Sequence, residues 1–211
     1  MIASFSQRFI FLKTRKTGGT SVAIALSSVC GDGDVCSPLY GPDETMRQQA
    51  GCIASTAKYR GQKIHSHLTA VEVRGLFPDL WETACKISLE RHPYEKVVSR
   101  AYWNIARAGN SPDADVATEI DHAISSGIII DRDMYCIDGA PVFDVMLQHK
   151  SLQEDMTELA DRLGVSLPKL PRAKSGFRTD RRPAHLILND DQKRRIRELA
   201  AFEFETFGYL P

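Results

Sequence analysis

Three groups of residues have types and spacings that could do chemistry. Lys16-Thr17-Gly18-Gly19-Thr20-Ser21 sets two glycines between a cation and two hydroxyls. Glycine lets backbone amides approach a phosphate closely, and a helix opening just after it turns its positive dipole end to the same place. Arg91 and Ser99 stand eight residues apart, about two helical turns, so a guanidinium and a hydroxyl could grip one anion. His65 and His67 flank Ser66, and an imidazole with an ordinary pKa of about 6.5 can take a proton near neutrality.

Each group has a plainer reading. The first is also an ordinary glycine turn with a Thr or Ser cap, Arg91 also an ion-pairing residue, and the histidines also surface, capping or metal-binding groups. A nucleoside triphosphatase loop needs Gly-x-x-x-x-Gly-Lys followed by Ser or Thr. Here Lys16 precedes the glycines, which disfavours a magnesium-dependent ATP or GTP site. The remaining histidines, His92, His122, His149 and His185, offer no compact ligand spacing, so no metal is expected.

The elements that must position these groups follow from hydrophobic pattern. Phe9–Lys13 is a short apolar run of strand type, and Thr20–Val29 has helical spacing. Residues 30–61 are rich in Gly, Asp, Pro, Ser and Gln, an irregular excursion with one short helix near Glu44–Cys52. A second short strand is predicted at Gln62–His65, a helix at Ala70–Gly75, and another buried strand at Ala84–Leu89. After Pro93 an amphipathic helix runs to about Ala108. Helices follow at Val116–Ser126, Leu152–Leu163 and Asp190–Phe207, with an irregular stretch and a turn at Asp138-Gly139 before the last two. Alternating strands and helices predict an α/β fold, a central, mainly parallel sheet flanked by helices, as one domain over residues 1–211.

Lys plus Arg equals Asp plus Glu, 27 each, so no global field draws the chain to nucleic acid or membrane, and an anion site must be built locally. The apolar run at the N-terminus is too short to span a bilayer. The expectation is a cytoplasmic chain, or one from which an N-terminal anchor has been removed. Five cysteines without a Cys-x-x-Cys pair predict reduced thiols.

The residue order around Lys16 resembles the phosphosulfate loop of sulfotransferases, in the branch related to carbohydrate and heparan sulfate 2-O-sulfotransferases, with Arg15 where that family usually has proline. Arg91-His92-Pro93-Tyr94-Glu95-Lys96-Val97-Val98-Ser99 is similar to the family's Arg-Asp-Pro-x-x-Arg-x-x-Ser, with His92 and Lys96 as departures. Gln62–His67 resembles its His-Gly-His segment, and Lys174-Ser175-Gly176-Phe177-Arg178 the loop that closes over the nucleotide. The resemblance implies a P-loop-type fold and transfer of a sulfuryl group from 3′-phosphoadenylyl sulfate (PAPS) to an acceptor hydroxyl, on a glycan or another alcohol, without a metal.

In that scheme Lys16, Thr17, Gly18, Gly19, Thr20 and Ser21 hold the 5′-phosphosulfate, and Arg91 and Ser99 hold the 3′-phosphate. Lys174, Ser175 and Arg178 reach the adenosine phosphates, His67 is the base and His65 its accessory, with their order left open. The alternatives are a P-loop kinase or NTPase-like enzyme and a non-catalytic nucleotide-binding module.

Overall fold

Phe9–Leu12 is apolar at every position, and such a strand must be covered on both faces. A computed structural model describes residues 1–53, 55–109, 115–171 and 176–211. The elements run β1 (Ile2–Ser4), β2 (Phe9–Leu12), α1 (Gly19–Ser27), β3 (Val35–Cys36), α2 (Gly41–Gln49), β4 (Lys58–Tyr59) and β5 (Gln62–Lys63). Next come α3 (Ala70–Leu76), α4 (Pro78–Thr83), β6 (Cys85–Glu90), α5 (Pro93–Arg107), α6 (Val116–Ser125) and α7 (Arg132–Tyr135). The chain ends with β7 (Cys136–Ile137), β8 (Ala140–Pro141), β9 (Val145–Gln148), α8 (Leu152–Leu163), α9 (Asp190–Leu199) and α10 (Ala201–Phe207). They gather into two units, Met1–Glu90 with Arg132–Ala173, and Arg91–Asp131 with Lys174–Pro211.

The first unit holds a sheet in the order β3-β1-β2-β6-β9. β2, β6 and β9 are parallel, with Phe11 beside Ile87 and Ile87 beside Val145. β1 is antiparallel to both β2 and β3, so the other four strands of the sheet all point one way. Alternation along β2 divides the core. Ile10 and Leu12 pack with Val73 and Leu76 of α3 and Leu80 and Trp81 of α4. Phe9 and Phe11 pack on the other face with Val22 and Leu26 of α1 and Met156 and Leu159 of α8. The result is a mainly parallel sheet with helices on both faces, each large buried side chain contributing about 1.5–3 kcal/mol.

The second unit is helical. Tyr94, Val97, Val98, Ala101 and Tyr102 form one stripe of α5, covered by Ile120 and Ile124 of α6 and Ile196 of α9. Inside it Lys96 meets Asp131 at 2.8 Å, both side chains fully buried.

Most predicted elements lie within two residues of their observed bounds. The strand expected at Gln62–His65 differs: Gln62–Lys63 pairs only with Lys58–Tyr59, in a two-stranded hairpin turned by Arg60 and Gly61 at positive φ (48° and 79°). The last helix also breaks at Ala200 (φ −104°, ψ 25°), beyond which Phe204 lies edge-on to His92 at 5.5 Å. β1 and β3 were too short to carry a pattern. Asp34 fixes β1's turn, accepting from the amides of Phe5 and Ser6 at 2.6 and 3.1 Å and from the Ser4 hydroxyl at 2.9 Å. All five cysteines are free thiols. No described helix is long and apolar enough to cross a membrane.

Candidate functional site

The glycine loop lies where β2 hands over to α1, at the end of a strand paired in parallel with β6. Lys16 has φ 60° and Gly18 φ 92°, two left-handed positions within one short turn. For lysine this conformation costs about 1–2 kcal/mol, and such strain concentrates at sites that bind. A Cβ at Gly18 would come within 3.3 Å of Cδ2 of His149, and one at Gly19 within 2.9 Å of Cγ of Lys13. Glycine is therefore favoured at Gly18 by backbone geometry and at Gly19 by close packing.

Gly18 caps α1 without a side chain, and its carbonyl accepts from the Ser21 amide at 3.0 Å. The first turn of this nine-residue helix carries no acidic residue, so its positive end is not offset from within. Thr20 and Ser21 are buried, and their hydroxyls make no hydrogen bond among the described residues. Thr17 is different. Its hydroxyl points inward, 2.8 Å from that of Thr14, which in turn donates to the Leu89 carbonyl of β6. Thr17 can offer a ligand only its backbone, while its side chain fastens the loop to the sheet.

His65 and His67 follow the β4–β5 hairpin. Nδ1 of His67 lies 2.9 Å from the Lys13 carbonyl. A carbonyl has no proton to give, so Nδ1–H donates and the lone pair of the neutral ring resides on Nε2. Burial first, then the Lys13 ammonium, lowers the His67 pKa to about 3, with the Met1 amino group and Arg15 adding to the effect and the Lys13 carbonyl opposing it. The half-buried ring is thus an unprotonated imidazole with a fixed tautomer. His65 is exposed, and its Nδ1 accepts from the His67 amide at 3.3 Å, which gives it a supporting position.

Arg91, Ser99 and Arg178 belong to the helical unit. Lys174 and Ser175 lie outside the described residues. Arg91 and Arg178 both reach Oε2 of Glu95, at 3.1 and 2.6 Å, while its Oε1 accepts from the Ala184 amide at 2.8 Å. Burial pushes this carboxyl up, but the Ala184 amide and the two guanidiniums outweigh it and hold the group below its usual range. Ser99 is half-buried on α5, and its hydroxyl makes no hydrogen bond among the described residues.

The two departures from the family pattern have structural work. His92 caps α5, Nδ1 accepting from the Tyr94 amide at 3.2 Å and Nε2–H donating to the Leu210 carbonyl at 2.8 Å. Lys96 is the buried partner of Asp131. The cations of α9 are also engaged: Lys193 pairs with Asp190, Arg194 with Asp191 and Glu198, and Arg197 donates to the Tyr94 hydroxyl.

Within the first unit, then, the loop and His67 share a neighbour that pattern reading passed over. Lys13 is 5% exposed, its stem lies under Gly19, its Nζ donates to Ser66 Oγ at 3.4 Å and its carbonyl holds His67. A lysine ending an otherwise apolar strand was the available signal. His149, beside Gly18, and Glu95, between two arginines, were also missed; each contact joins residues far apart in sequence or disguised as a surface pair. Among the described residues no three His, Cys, Asp or Glu side chains gather as a metal site. Comparison of the chain with protein-family models, curated proteins and solved structures finds no match.

Proposed function

We propose that this chain is a sulfotransferase on a P-loop-type sheet, moving a sulfuryl group from PAPS to an acceptor hydroxyl, with a carbohydrate as the acceptor class. One observation carries the reading: a glycine loop at the uncompensated N-terminus of α1 and a neutral, tautomer-fixed imidazole are tied to the same lysine.

The 5′-phosphosulfate takes the loop, where amides of Gly18–Ser21 and the Lys16 ammonium face its oxygens. The acceptor oxygen attacks sulfur in line, its proton passes to Nε2 of His67, and the bond from sulfur to the bridging oxygen breaks. Lys16 and the loop amides neutralise the charge that grows on that oxygen, and 3′,5′-ADP leaves. A base as weak as ligand-free His67 gains proton affinity when an anion sits beside it, which PAPS supplies. Arg91 and Ser99 take the 3′-phosphate, which competes with Glu95 for the guanidinium. Free thiols fit a reducing, cytosolic compartment, which belongs to the same proposal.

The test is incubation with PAPS and a panel of glycans, following 3′,5′-ADP release. A companion thermal-shift experiment compares 3′,5′-ADP with ATP and magnesium. Stabilisation by ATP-magnesium alone makes the chain a kinase-like enzyme, and 3′,5′-ADP binding without product on any acceptor makes it a binding module.

A further inference from the structure

Among the described residues, Tyr40 is the aromatic side chain with the most surface in water, 67%. The backbone under it is held at each step. The Ser37 amide donates to the Met1 carbonyl at 3.0 Å, the Pro38 carbonyl accepts from Ser66 Oγ at 3.0 Å, and the Leu39 amide donates to Oε2 of Glu44 at 3.0 Å. The Tyr40 carbonyl accepts from the Asp43 and Glu44 amides at 2.8 and 3.0 Å, opening α2, while Leu39 packs into the apolar cluster of α1 and β2. The ring enters no aromatic pair and its hydroxyl no hydrogen bond with another described side chain. A ring so mounted costs a ligand little ordering entropy to meet.

The same segment reaches the candidate base. Ser66, bonded to Pro38 and 3.3 Å from the Ser37 hydroxyl, is the residue before His67. Tyr40 is two residues beyond Pro38, at most about 7 Å of extended chain. A molecule a few sugar rings long with one hydroxyl at His67 thus comes within reach of the Tyr40 ring. The occupant follows from the ring's setting. A lipophilic alcohol needs a concave apolar pocket, whereas Tyr40 is flanked by Pro38, Gly41, Pro42 and the acids Asp43 and Glu44, with Leu39 turned into the core. A pyranose offers a face of C–H groups to the ring and hydroxyls to the phenol oxygen, an amphipathic match. Residues 17–46 contain no Lys or Arg, so the segment offers an acidic sugar no charge of its own. We propose that Tyr40 is the stacking platform of an acceptor subsite, taking one neutral pyranose ring of a glycan whose reacting hydroxyl lies at His67. The proposal rests on the sulfotransferase reading for the role of that glycan as acceptor; the stacking of a sugar on Tyr40 does not depend on it.

The experiment is saturation-transfer NMR on the full chain with neutral tetrasaccharides of gluco, galacto and manno configuration, and with naphthol as a lipophilic alcohol. The wild type should transfer saturation to C–H protons on one face of at least one of these sugars. Tyr40→Ala should weaken that binding about five- to tenfold, and Tyr40→Trp should keep it. Because the side chain is exposed, urea unfolding of both variants should match the wild type, so a loss of sugar binding is not a loss of fold. Transfer to none of the sugars, equal affinity in Tyr40→Ala, or a response to naphthol alone overturns the proposal. With PAPS and a reacting glycan, Tyr40→Ala should raise the acceptor KM about five- to tenfold with little change in kcat or in 3′,5′-ADP affinity. An unchanged KM overturns the proposal while the sulfotransferase reading stands. Tyr40-dependent sugar binding without 3′,5′-ADP release on any acceptor supports the stacking platform and counts against the sulfotransferase reading.

Discussion

The loop end of the sheet and the start of α5 both gather positive charge, and the groups it acts on differ. Around His67, burial and then Lys13 and Arg15 disfavour a proton on the ring, and Lys13 Nζ donates to the Ser66 hydroxyl. In the helical unit the cations meet carboxylates: Arg91 and Arg178 share Glu95, and Lys96 is sealed against Asp131. A cation paired with a carboxylate gives up that carboxylate before it takes a phosphate. The first arrangement keeps an imidazole neutral; the second ties helices together through shared carboxylates.

Substitutions that remove one side of this contrast should have unequal effects. The largest is expected from His67→Ala, which should lower turnover by about 10²–10⁴-fold with 3′,5′-ADP affinity nearly unchanged, as read by product release and calorimetry. Wild-type turnover in this variant would remove His67 from the chemistry. Asp131→Ala leaves Lys96 charged and buried, so urea unfolding should show a loss of about 3–5 kcal/mol, most of it recovered by the paired apolar change Lys96→Met with Asp131→Leu.

The pH dependence of stability comes next. His67 has its pKa lowered from 6.5 to about 3, so between those values the unfolded chain binds a proton that the folded chain refuses. Its contribution is complete above pH 6.5 and is lost as pH falls toward 3, about 3 kcal/mol between roughly pH 7 and pH 4. His67→Gln should flatten this slope in unfolding curves taken at both pH values. Smaller still, Glu95→Gln should remove the negative charge shared by the two arginines and improve the preference for 3′,5′-ADP over 5′-AMP by about three- to tenfold. An unchanged preference would detach Arg91 from the 3′-phosphate. The least effect belongs to Thr17→Val, about 1 kcal/mol of stability from the lost hydroxyl pair and little change in nucleotide affinity.

What could be read from sequence was what depends on local pattern. The all-apolar run at Phe9–Leu12, the Thr or Ser after the glycines, and the stripe Tyr94, Val97, Val98, Ala101 and Tyr102 each specify an element through its own periodicity. β1 and β3 have three and two residues, too few for a period to register, and their edge of the sheet depends on Asp34 gathering donors from distant backbone. In the site, the loop and His67 were legible as types of residue. Lys13 as their common neighbour was not, because the contact of its stem with Gly19 and of its carbonyl with residue 67 exists only after the strand, the loop and the hairpin have packed. The inward turn of Thr17 was hidden for the same reason: nothing in its neighbours distinguishes a hydroxyl facing a ligand from one facing Thr14.

The chain of hydroxyls from Thr17 through Thr14 to the Leu89 carbonyl has a kinetic meaning as well. A loop pinned to the sheet in this way has few alternative shapes to search before a ligand docks, so little ordering entropy is spent on binding. Association of an anionic nucleotide with the loop should therefore be a single bimolecular phase, steered by charge and slowed by salt, with no slower step for the loop to close.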